Sequence, residues 1–95
     1  MILARLDIEK LKKIINTNDL LAYKGFWQEI VRRHVSNYFE PCKIDMLHIY
    51  VSPSVANLIS TFLTGNDLVF AFPSIDKNLA DDECYIDESH VLKRI

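Results

Sequence analysis

Apolar positions recur at helical spacing through the first part of this chain and at two-residue spacing in parts of the second. Ile8, Leu11, Ile14 and Ile15 fall on one helical face, while Glu9, Lys10, Lys12 and Lys13 fall elsewhere. Asp7 stands where an N-cap carboxylate belongs, so a helix is expected from Ile8. Asn16-Thr17-Asn18-Asp19 interrupts the pattern, because these side chains hydrogen-bond to the local backbone and favour caps and turns. A short helical piece over Leu20 to Lys24 is predicted next, broken by Gly25. A stronger helix is predicted from Phe26, with Trp27, Ile30, Val31, His34, Val35 and Tyr38 as its apolar stripe. Glu29 and Arg33 sit i,i+4 on its outer face. Glu40-Pro41 should end it, since the residue before proline avoids helical angles.

The period then changes. Ile44 to Val51 reads as a strand with Leu47, Ile49 and Val51 on one face and Ile44, Met46, His48 and Tyr50 on the other. Apolar residues on both faces suggest a strand covered on two sides or engaged in an oligomer contact. Ser52-Pro53 is a helix start, with serine as N-cap and proline in the first turn. Val55, Leu58, Ile59, Phe62 and Leu63 follow at helical spacing, and Gly65 stands at a C-terminal cap position. Leu68-Val69-Phe70-Ala71-Phe72, stopped by Pro73, suits a buried strand, so the stretch from Ile44 to Phe72 predicts a β-α-β unit. Residues 74–82 read as a loop. Glu83 to Asp87 reads as a further strand with Cys84 and Ile86 on one face, and the tail from Glu88 to Ile95 fits a strand or a short helix. The expected fold is α+β: an N-terminal helical half of two to three helices packed on a small three- to four-stranded sheet containing one β-α-β unit, in the order α-α-β-α-β-β.

Composition agrees with one globular domain over residues 1–95. Apolar residues make up 49% and charged residues 25% of the chain, ample to offset ordering entropy, and two glycines leave little room for floppy linkers. The net charge of −2 gives no basic excess of the kind phosphate binding needs, so nucleic acid is an unpromising partner. No apolar run reaches the ~20 residues of a membrane span. The start of the sequence lacks the apolar stretch of a signal peptide, and two cysteines without such a signal suggest the cytoplasm, where thiols stay reduced.

One internal echo bears on chemistry. Cys42 to His48 and Cys84 to His90 both read C-x-I-D-x-x-H. Two cysteines and two histidines are the right set for tetrahedral zinc, which makes Cys42, His48, Cys84 and His90 candidate ligands. Ligands six positions apart in a straight strand are separated by ~20 Å, so each segment would have to fold over, and zinc pairs are usually spaced two to four residues apart. The alternative is that two strands begin alike, with cysteine as a small apolar residue. His34 on the helical stripe lacks any evident nucleophile or acid beside it. Asp81-Asp82-Glu83 is the densest acidic stretch, suited to a solubilising loop, a divalent cation or a basic partner surface. Lys24, Arg32 and Arg33 form a small basic cluster.

Nucleotide loops, hydrolase elbows and zinc-protease motifs are absent from the sequence. No enzymatic activity and no cofactor are therefore expected. Aromatic area is concentrated over residues 23–39. Because Tyr23/Phe26 and Tyr38/Phe39 point different ways on a helix, part of this area is expected at the surface, where aromatics and arginines anchor partners. Tyr23, Phe26, Trp27, Arg32, Arg33, Tyr38 and Phe39 are thus the candidate partner-binding residues. The resulting expectation is a non-enzymatic protein–protein interaction module, an adaptor, inhibitor or accessory subunit of bacterial or phage type that self-associates. The alternative is a small Cys2His2 metal-binding or nucleic-acid-binding regulator.

Overall fold

Among the described residues, three short strands and three helices follow in the order β1 (Ile2–Arg5), α1 (Ile8–Asn16), α2 (Leu20–His34), β2 (Ile49–Val51), α3 (Pro53–Leu63) and β3 (Glu83–Ile86). The computed structural model describes residues 2–35, 48–63 and 79–87. Mixed α+β architecture is what the pattern predicted, but the opening element differs. Ile2–Arg5 is a strand, where a helical beginning was expected. It is made a strand by its partner: β1 pairs antiparallel with β3, Ile2 opposite Ile86 and Ala4 opposite Cys84. β2 pairs antiparallel with the other side of β3, Ile49 opposite Ile86 and Val51 opposite Cys84. The sheet order is therefore β1-β3-β2, with the last described strand in the middle. The second strand of the expected β-α-β unit, residues 68–72, lies outside the described residues, as do residues 44–47 and the tail.

Local chemistry explains the helix boundaries. The Asp7 carboxylate accepts the Lys10 N–H at 3.2 Å, capping α1 as its position suggested. At the other end Asn18 adopts a left-handed φ of 54°. This lets Asn18 N–H reach the Ile15 carbonyl at 3.1 Å and Asp19 N–H reach that of Ile14 at 3.2 Å, the paired bonds of a Schellman turn. Asp19 at once caps α2, its carboxylate accepting from Ala22 N–H at 3.1 Å. One short polar linker thus closes one helix and opens the next.

Helix α2 corrects two expectations. It runs unbroken through Gly25, which is exposed and has no positive φ. It also ends at His34, where Val35 turns extended (φ −114°, ψ 107°) and buries its side chain. Tyr23, Phe26, Trp27, Ile30 and Val31 line its inner face on both sides of the glycine, and their burial outweighs the ~1 kcal/mol that one helical glycine costs. Ser52 caps α3 as expected: its Oγ accepts Val55 N–H at 3.2 Å.

The core is one cluster between the inner face of the sheet (Ala4, Cys84, Val51, Ile86 and Ile49) and the helices. Leu11 from α1, Trp27 and Val31 from α2, and Val55 and Ile59 from α3 complete it. Tyr23 meets Phe62 of α3 at 5.0 Å between ring centroids, and Phe26 meets Trp27 edge-on at 5.1 Å. No described helix is long and apolar enough to cross a membrane.

Candidate functional site

Strand alternation gives the sheet two faces of different character. Ile2, Ala4, Ile49, Val51, Cys84 and Ile86 point inward, and the residues between them point outward. On the outer face one row runs across all three strands: Leu3 opposite Tyr85, and Tyr85 opposite Tyr50. Leu3 is 51% exposed, and both tyrosines are half-buried. Arg5 and Glu83 flank this row at one end. Asp87 and His48 flank it at the other, where Asp87 N–H donates to the His48 carbonyl at 3.0 Å.

The aromatic residues singled out from the sequence lie elsewhere. Tyr23 and Trp27 are fully buried and Phe26 is 6% exposed, because positions 23, 26, 27 and 30 share one face of a continuous helix. They belong to the core of this chain and are too buried to anchor a protein partner. Tyr38 and Phe39 lie outside the described residues.

The charged candidates are held by intramolecular bonds. Glu29 accepts from both Arg32 (2.9 Å) and Arg33 (3.2 Å), so the basic cluster is partly neutralised on its own helix. His34 is exposed instead of packed in the core, and its Nδ1 lies 2.9 Å from the Ile30 carbonyl, to which it donates. Each member of the acidic stretch also has a structural task. Asp81 accepts from Ser52 Oγ at 2.7 Å, tying the start of α3 to the turn before β3. Asp82 holds Arg5 at 2.7 Å. Glu83 accepts Ala80 N–H at 3.0 Å. A single turn thus fastens the ends of β1 and β2 to β3.

Of the four metal-ligand candidates, Cys42 and His90 lie outside the described residues. Cys84 points into the core and His48 to the opposite side of the sheet, so the two do not converge. No group of three or more His, Cys, Asp or Glu suited to a metal occurs among the described residues. Burial pushes the Cys84 thiol up to about 12, which keeps it protonated and unreactive at neutral pH.

A separate depression of about 130 Å³ opens between β1, α1 and α2, with Phe26 and Ile30 at its floor and Arg5, Lys10 and Arg33 around it. The outer-face row was only half legible in advance. Tyr50 and Tyr85 follow from alternation within β2 and β3, whereas Leu3 belongs to a strand recognisable only through its distant partner. Comparison with protein families, curated proteins and solved structures finds no match to this chain.

Proposed function

We propose that this protein is a non-catalytic interaction module that self-associates through the outer face of its sheet. The observation that carries this reading is the Leu3–Tyr85–Tyr50 row, with Leu3 half exposed on the strand whose next residue, Ala4, is buried in the core. Leucine and tyrosine supply contact area at modest entropic cost. The row also suits a second copy. A two-fold axis along β3 lays Leu3 over the tyrosine at position 50 of the other copy and brings the two central tyrosines together, an isologous contact. Arg5 beside Glu83 and His48 beside Asp87 leave neither sign in sole possession of the rim.

The size of the face sets the strength of the contact. Three strands about 4.8 Å apart and about four residues long present roughly 14 × 14 Å, or about 200 Å². A stable dimer needs about 800 Å² per partner, so the contact is weak and reversible. Sedimentation velocity from about 1 µM to about 1 mM spans the corresponding affinities. A monomer–dimer equilibrium is expected, abolished by Leu3→Lys combined with Tyr50→Lys. It should persist as salt rises, because apolar contacts carry it, whereas phosphate binding through arginines would weaken. A strictly monomeric protein over this range, or a dimer indifferent to both substitutions, would refute the reading.

A further inference from the structure

The depression between β1, α1 and α2 lies outside the outer-face row and depends on no second copy. Its floor is apolar: Phe26 and Ile30 are 6% and 7% exposed. Its volume of about 130 Å³ is of the order of the ~150 Å³ of an engineered cavity that holds benzene, but it opens to solvent, so a ligand would keep one side in water. It is therefore sized for a six-membered ring or a short alkyl chain.

Charge around the rim is uneven. Arg5, Lys10 and Arg33 stand against two carboxylates, Asp7 and Glu29, an excess of one positive charge on a chain whose net charge is −2. Both carboxylates are occupied. Asp7 accepts the backbone N–H of Lys10, and Glu29 is shared between Arg33 and Arg32. The ion pairs of the rim arginines use Nη1 of Arg5, toward Asp82, and Nε of Arg33, toward Glu29. A guanidinium carries five N–H donors, so each pair leaves donors on the same fork for a second acceptor. Asp82 and Glu29 also restrain the two guanidiniums, which lowers the entropy lost when a ligand is held between them.

We propose that this depression binds a small monoanionic carboxylate bearing an apolar group, the ring or chain resting on Phe26 and Ile30 and the carboxylate meeting Arg33, Lys10 and Arg5. One ligand charge matches the one-charge excess. A dianion would overshoot it, and a neutral molecule would use the floor alone. The carboxylate belongs either to a free acid or to the C-terminal residue of a peptide.

The test is a heteronuclear NMR titration of the full chain at low ionic strength with benzoate, benzyl alcohol and inorganic phosphate in parallel. Benzoate should give saturable shifts at the Lys10, Phe26, Ile30 and Arg33 amides. The uncharged alcohol should bind more weakly by up to about fivefold, the size of one exposed ionic contact, and the ring-free anion, which leaves the apolar floor uncovered, should also bind more weakly. Arg33→Gln and Lys10→Gln, both at exposed positions, should each weaken benzoate by a similar factor while the rest of the spectrum stays unchanged. Acetyl-phenylalanine binding more tightly than benzoate, with its amide inert, would assign the site to a peptide terminus; the reverse order would assign it to a free acid. Absence of saturable shifts at these amides, or equal affinity for benzoate and benzyl alcohol or for benzoate and phosphate, would overturn the proposal.

Discussion

Cys84 shows how a single position reports on the fold. It sits between Ala4 and Val51 on the inner sheet face, fully buried, and burial raises its thiol from the ordinary 9.0 to about 12. The thiolate is the reactive species, so in a Cys42→Ser background a disulfide reagent should label Cys84 only as fast as the protein unfolds. Rapid stoichiometric labelling in native buffer would contradict the packing. The same shift sets an alkaline limit. An acid whose folded-state pKa is raised favours the folded state fully below its unfolded pKa, and that stability is lost as pH rises through the folded pKa. Unfolding free energy should therefore fall between pH ~9 and ~12, by up to about 1.4 kcal/mol per pH unit for one such group. Burial also raises the Tyr23 hydroxyl above its ordinary 10.0, which steepens the fall at the upper end. Chemical denaturation at stepped pH should give a shallower slope for Cys84→Ala. The alternation of Cys84 and Ile86 marked this inward face from sequence alone. The repeated C-x-I-D-x-x-H motif also placed Cys84 with His48, and the strand geometry puts those two side chains on opposite sides of the sheet.

Among the elements, α1 and the start of α3 were legible because they are built from neighbours in sequence. Asp7 and Ser52 cap through bonds three residues long, and no tertiary information is needed to see them. α2 was misread at Gly25 because propensity is local and packing is not. Nothing lies within 4 Å of where a Cβ would stand on Gly25, and its φ is negative. Gly25→Ala should therefore stabilise the protein by roughly 0.5–1 kcal/mol, through helix propensity and a less free unfolded chain, read as a raised denaturant midpoint. A loss of stability would mean that the helix is broken there after all. Ser52→Ala should act oppositely and more strongly. It removes the cap of α3 and the hydroxyl that Asp81 accepts, a loss of about 1–2 kcal/mol for the cap alone. Asp81→Ala should cost less, because Ser52 keeps its bond to Val55.

For the whole molecule, what sequence could not supply is the closure of the sheet across nearly the full length of the chain. β1 is four residues long, too short to show a period, and it becomes a strand only by pairing with β3 near the other end. The same pairing sets Leu3 beside Tyr85 on the proposed association face, so that part of the site and the topology were hidden for one reason. This gives a sharp contrast between neighbours. Ala4 is 3% exposed and points at the core, whereas Leu3 is 51% exposed and points away from it. Ala4→Lys would drive an unpaired charge between Cys84 and the helices, at a cost of about 3–5 kcal/mol, much of the stability of a domain this size. Leu3→Lys should leave the unfolding free energy within roughly 0.5 kcal/mol of the parent, since its side chain makes little of the core. Urea titrations of the two variants should therefore separate widely although the positions are adjacent. Comparable destabilisation by both would mean that β1 is covered on its outer side as well, leaving no face for a second copy. A wide separation, with Leu3→Lys also shifting the dimer equilibrium toward monomer, would tie stability to one face of the strand and association to the other.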